Sequence, residues 1–223
     1  MKISLIYHPS VPKSDALTES LSALCGLLDK SAAEYVCVAQ EIPFVVDEDT
    51  SMAFYVVPHD RRLVKQYLAA SRELRIPYTF VKPDATTLIP KRIGCPVTFL
   101  EEEAEKGQFA AAFGRYCGTA IDLICANDFG SKAKTTIDKI AALLDKFQLH
   151  YERLEADKDS FKVYKEIAKK TQDGVWDMLL LSASRDYGLD DIIFGPPELH
   201  AILLSEVSVM LVNPRGDLYA LCD

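Results

Sequence analysis

The chain has 223 residues, with 25 Lys plus Arg against 33 Asp plus Glu and a formal net charge of −8. An acidic chain with no Lys/Arg cluster lacks the electrostatic footprint that grips a phosphate backbone or an anionic membrane surface, so neither nucleic acid nor membrane is expected as a partner. Hydrophobic residues at 49% and charged residues at 26% exclude disorder and low complexity. The apolar runs, such as 178–181 and 207–212, fall far short of the roughly 20 residues that span a bilayer.

The N-terminus enters strand pattern directly, without the apolar stretch and small-residue cleavage site of a secretory signal, and a cytoplasmic location is expected. The six cysteines form no Cys-x-x-Cys pair and several sit in apolar runs, which reads as buried, reduced thiols.

In chain order, residues 2–7 form an apolar, β-branched run ending at His8-Pro9. Leu17, Leu21, Leu24, Leu27 and Leu28 then recur at helical spacing. Tyr35 to Ala39 predicts a second strand, and Ile42 to Val46 a further extended piece before the acidic turn 47–49. Ala53 to Val57 predicts a buried strand. Arg61 to Arg75 carries Leu63, Tyr67, Ala70 and Leu74 on one helical face, and Tyr78 to Val81 predicts another strand. Residues 82–92, with Pro83 and Pro90, suit a linker.

Beyond it the spacing predicts strands at Val97 to Leu100, Ala120 to Cys125, Leu149 to Leu154, Met178 to Leu181 and Val207 to Val212. Helices are expected between them, around 105–117, 132–147, 161–170 and from Pro196. Strands alternating with helices predict an α/β fold, a parallel-sheet three-layer sandwich covered on both faces. Two tandem units are expected, 1–84 and 93–223, joined by a linker at 85–92. A weak internal repeat fits this division. The strand Phe54 to Val57, a helix, then Tyr78 to Pro83 corresponds to the strand Met178 to Leu181, a helix, then Val209 to Pro214.

Open parallel sheets bind ligands at the carboxyl ends of their strands. The residues to inspect are therefore Glu101 to Glu103, Ala126 and Asn127, and the stretch Ser182-Ala183-Ser184-Arg185-Asp186-Tyr187-Gly188, which leads on to Phe194-Gly195-Pro196-Pro197-Glu198, a Gly turn opening a helix.

The stretch from Val175 to Pro214 resembles the C-terminal part of the universal stress protein family. Its strand is Asp177 to Leu181, its Ser-containing loop 182–185, its glycine before a helix Gly195, and its final strand 207–212. The similarity extends over the second unit from Cys95 and is faint in the first, which looks shortened. The resemblance implies a Rossmann-like fold of the adenine nucleotide alpha hydrolase type and a role in stress response.

ATP-binding members resemble a pattern of Gly, two residues, Gly, nine residues, Gly, then Ser or Thr. Matched from Gly195, the earlier glycines become Arg185 and Ser182, and Pro196 takes the Ser/Thr position. The lost glycines would have let backbone N–H groups close on phosphates, and Pro196 has no N–H to offer. The acid that follows the family's first strand is matched by Glu101.

If ATP or another adenine nucleotide binds, the resemblance assigns it to Glu101, Ala126, Ser182, Ser184, Arg185 and Gly195. The plainer reading of Arg185 pairs it with Asp186, Asp190 or Asp191, and that of Glu101 to Glu103 is an acidic helix entrance. Ligand sensing or association with an unidentified protein partner, rather than turnover, is the leading expectation. A homodimer is also open. By the family's habit of pairing through its last strand, Tyr78 to Val81 and Val207 to Val212 would meet as an intrachain pseudo-dimer.

A third expectation rests on the first unit, where His8 and His59 follow strands that should be neighbours. With Asp60 beside them they form a weak candidate for a metal or hydrolytic site, although Asp60 also reads as a helix N-cap. Residues 1–90 hold 9 basic and 11 acidic residues, and the rest hold 16 and 22, so most of the acidity lies in the second part.

Overall fold

The computed structural model describes residues 2–28, 34–39, 46, 48–184 and 195–214. Arg185 and most of the extended piece expected at 42–46 lie outside the described residues. Nine strands form one sheet: β1 (Lys2–Tyr7), β2 (Glu34–Ala39), β3 (Thr50–Val56), β4 (Tyr78–Val81), β5 (Arg92–Val97), β6 (Ala120–Cys125), β7 (Tyr151–Glu155), β8 (Met178–Ser182) and β9 (Ser208–Val212). Their spatial order is β2-β1-β3-β4-β9-β8-β5-β6-β7. Every neighbouring pair is parallel except β4 and β9, which run antiparallel with Tyr78 opposite Leu211 and Phe80 opposite Val209.

Among the described residues the helices are α1 (Asp15–Leu28), α2 (Arg61–Ser71), α3 (Gly107–Cys117), α4 (Lys132–Lys146), α5 (Val163–Lys170) and α6 (Pro197–Leu204). Side chains alternate across a strand, so each inner strand feeds two cores. Leu5, Phe54, Leu123 and Met210 pack with α1, α3 and α4 on one face. Ile6, Tyr55, Ile124 and Leu211 pack with α2, α5 and α6 on the other. This double burial explains why strands such as Leu179-Leu180-Leu181 are apolar at consecutive positions rather than at alternate ones.

The strand expected at Val97 to Leu100 is five residues early in the structure, at Arg92–Val97. Gly94 and Pro96 disguise it as the end of a linker. Gly94 is needed where it stands, because a Cβ there would lie 3.0 Å from both the Trp176 ring and the Leu179 side chain. Pro96 is tolerated because β8 pairs with β5 only at Ile93 and Gly94, and the Pro96 carbonyl is taken by the Lys106 ammonium instead.

The amino ends of the central strands are fastened by a buried acid. Asp122 receives two hydrogen bonds from the Arg92 guanidinium, both 2.8 Å, and one from Trp176 Nε1 at 2.7 Å. This ties β5 and β6 to the segment entering β8.

Cys25, Cys95 and Cys125 are buried free thiols and Cys117 is half-buried. Burial pushes the Cys95 and Cys117 thiols up to about 11.

Thr79 sits in β4, between β3 and β9, fully buried, and its hydroxyl has no hydrogen-bond partner among the described residues. Replacing it with the isosteric Val removes that unsatisfied group from the antiparallel junction. Thr79→Val is therefore expected to stabilise the protein by about 1 kcal/mol, read as a higher urea midpoint with an unchanged slope.

Candidate functional site

In the order β9-β8-β5-β6-β7 the chain leaves β5 toward one side of the sheet and returns to its other side at β8. Loops that diverge from neighbouring parallel strands leave a crevice at their carboxyl ends. Here the crevice is a cavity of about 160 Å³, walled by the residues that follow β5 (Thr98 to Leu100), the end of β8 (Ser182 to Ser184), and Phe161 and Tyr164 near the start of α5.

Its floor is charged and buried. After β5 the chain makes a 3-10 helix over Glu101–Lys106, and three residues per turn place Glu103 and Lys106 one above the other. Both are essentially inaccessible to solvent, and their charges meet at 2.9 Å. The Glu103 carboxylate also accepts the Thr98 N–H and the Tyr164 hydroxyl, each at 2.7 Å. Tyr164 Oη in turn accepts the Ser182 N–H at 3.1 Å. Burial, reinforced by the neighbouring Glu103 charge, raises the Tyr164 pKa well above its usual value. The network thus joins the ends of β5 and β8 through α5, and its members satisfy one another.

A second buried acid closes the other side. Glu198, in the first turn of α6, is fully buried and accepts the Ser184 N–H at 3.1 Å and the Ser184 hydroxyl at 2.9 Å. The carboxylate lies where the helix N-terminus favours negative charge. Pro196 and Pro197 begin the helix without backbone N–H groups. Gly195 has φ +90, and a Cβ there would come within 2.5 Å of Leu199, so glycine is required for close approach to its own helix.

No family model and no curated protein sequence matches the chain. Solved structures do. A universal stress protein from Archaeoglobus fulgidus superposes with a TM-score of 0.61 over 97% of this chain and 87% of its own, at 13% identity. The fold is that of universal stress proteins. A putative universal stress protein from Pseudomonas aeruginosa UCBPP-PA14 gives 0.57 at 12% identity, covering 99% of this chain and 95% of that one. A protein of unknown function from Pseudomonas aeruginosa PAO1 gives 0.56 at 11% identity, covering 99% and 94%. At these identities the likeness establishes the universal stress protein architecture alone.

On that architecture the expected site residues separate. Ser182 and Ser184 line the cavity, and Gly195 stands at the entrance to α6. Glu101 does not line it: its side chain is 70% exposed and pairs loosely with Lys139 at 3.5 Å. The carboxylates on the cavity wall are Glu102 and Glu103. A run of three acids hides in the sequence which of them turns inward. The partner three residues after Glu103, Lys106, was the available signal. Ala126 is buried, does not line the cavity, and gives its N–H to Val97.

His8 and His59 follow the neighbouring strands β1 and β3, but their rings are engaged separately. His8 Nδ1 accepts the Ser10 N–H at 3.2 Å and lies 2.7 Å from the Ser10 hydroxyl. His59 Nδ1 lies 3.3 Å from Lys82 Nζ, whose pKa is lowered by burial. Asp60 caps α2 by accepting the Leu63 N–H at 2.9 Å. Among the described residues no group of three or more His, Cys, Asp and Glu is placed to hold a metal.

Removing one partner of a buried ion pair strands the other charge. Lys106→Met is expected to cost about 3–5 kcal/mol, whereas the double change Glu103→Gln with Lys106→Met recovers most of that loss, both measured by chemical denaturation.

Proposed function

We propose that this chain is a universal stress protein-like stress-response protein that acts by ligand sensing or protein association rather than turnover, and that its switch-point site takes no nucleoside triphosphate. One observation carries the reading: the buried Glu198 carboxylate already holds the Ser184 N–H and hydroxyl beside the start of α6. In the pattern that ATP-binding members resemble, the loop and helix start face phosphate. Here an internal anion occupies that role, and a phosphate approaching it meets like charge.

The Glu103 network supports the same reading. The carboxylate nearest the end of β5 is consumed by Lys106, Tyr164 and Thr98. Among the described residues the cavity wall contributes two glutamates and no Lys, Arg or His.

The finer organisation follows from the antiparallel junction. Residues 1–84 and 93–223 are read as a reduced and a complete family-like half, with β4 and β9 as their last strands. Their pairing would make the monomer an intrachain counterpart of a family dimer.

Calorimetry with ATP and magnesium tests the central statement. No heat and no thermal shift is expected at millimolar ligand, and saturable binding below about 1 mM overturns it. Glu198→Ala leaves Ser184 without its acceptor and is expected to destabilise the fold by about 1–3 kcal/mol, seen as a lower melting temperature.

A further inference from the structure

The switch-point cavity has features that a merely filled site does not need. Its mouth carries Phe99 and Phe161, packed edge to face with ring centroids 5.6 Å apart, and Phe161 is 78% exposed. The Phe161 ring therefore keeps most of its surface open to solvent at the mouth. The rim is nevertheless held in place. Asp128 accepts both the N–H and the hydroxyl of Ser160, and Ser160 Oγ accepts the Phe99 N–H at 3.0 Å. This relay fixes the backbone of Phe99 and Ser160, and with it the paired Phe99 and Phe161 rings at the opening, with the Tyr164 hydroxyl anchored below to Glu103.

Resting on the nucleotide-free reading above, we propose that this cavity binds a small neutral aromatic molecule of one ring that carries a hydroxyl group, a phenol-like ligand. Size sets the first limit: about 160 Å³ matches the roughly 150 Å³ that accommodates a benzene ring in an apolar protein cavity. Shape and chemistry set the second, since Phe99, Phe161 and Tyr164 offer ring faces and edges to a flat guest. Charge sets the third. Glu102 on the wall, and Glu198 behind Ser184, oppose a carboxylate or phosphate on the guest, while the Glu103 charge is balanced by Lys106. Thr98 and Ser182 provide hydroxyl groups to pair with the ligand's own.

The test titrates the full chain with phenol and, separately, with benzoate, following backbone amide resonances and heat. Phenol is expected to give saturable shifts centred on residues 98–100 and 182–184 with a Kd below about 1 mM, and benzoate to bind at least about 10-fold more weakly. Phe161→Ala, which alters an exposed ring, is expected to weaken phenol about 3–10-fold with an unchanged melting temperature. Ala183→Leu, which intrudes on the cavity, is expected to abolish the shifts. If that variant does not fold, Phe161→Ala carries the test.

No saturable phenol shift at about 10 mM, equal binding of benzoate, or phenol binding indifferent to Phe161→Ala overturns the proposal. Silence from phenol together with silence from ATP refutes only the ligand class. Tight ATP binding refutes the nucleotide-free reading itself.

Discussion

The antiparallel pairing of β4 with β9 is the constraint on which the rest of the architecture depends. Without it the four strands β2-β1-β3-β4 and the five strands β9-β8-β5-β6-β7 would be two sheets with exposed, apolar edges. With it they are one, and α2 and α6 pack on the same face across the junction in a single core. Tertiary hydrogen bonds reinforce the seam. Asn213 donates to the Ser71 and Leu74 carbonyls at the end of α2 and accepts the Tyr78 hydroxyl, and Lys82 reaches the Ile202 carbonyl in α6. Because the two sets of parallel strands point in opposite directions, their carboxyl ends open on opposite edges of the sheet. The ends carrying His8 and His59 are thereby separated from the cavity beside Ser182.

At that cavity the protein places charge where a hydrophobic core would be more economical. A buried ion pair contributes little net stability, because desolvation offsets the attraction. Glu103 and Lys106 nevertheless join three segments far apart in sequence, with Thr98, Tyr164 and Ser182 as their hydrogen-bonded neighbours. The result is a site whose buried acids are satisfied from within and whose wall is mostly apolar, with three aromatic rings among its lining. On the reading proposed above, such a site would discriminate by shape and by rejection of anions rather than by phosphate capture.

Much of the fold was legible because apolar runs bounded by Pro and Gly coincide with strands buried on both faces. Tyr78 to Val81 and Ala120 to Cys125 were expected at the residues where they occur. β5 was misplaced since Gly94 and Pro96 carry the local signature of a breaker, and only Trp176, packed against Gly94 from elsewhere in the chain, explains the need for glycine. The candidate site was half legible. Ser182 and Ser184 follow a strand, were singled out by that rule, and line the cavity. Glu103 was passed over for Glu101, as a linear run of acids does not reveal the 3-10 turn that buries its third member. Glu198, at the end of the Gly-Pro-Pro turn, read only as part of a helix start, with nothing to mark it as the acceptor for Ser184. Its role depends on a loop that arrives from 14 residues earlier.

The position of β9 also bears on how the molecule is made. This strand, the last of the nine in chain order, lies in the middle of the sheet, and its neighbour β4 is distant along the chain: the Tyr78 to Asn213 bond spans 135 residues. A growing polypeptide can pair β1 with β2 and β3, or β5 with β6 and β7, as each emerges. The two partial sheets cannot unite until β9 has been synthesised and inserted between β4 and β8. Until then the facing edges of β4 and β8 stay open. Topologies dominated by such distant pairings fold slowly and leave unpaired strands exposed during the wait. The central seam that unifies the finished sheet is thus a step that must wait for the last of the nine described strands.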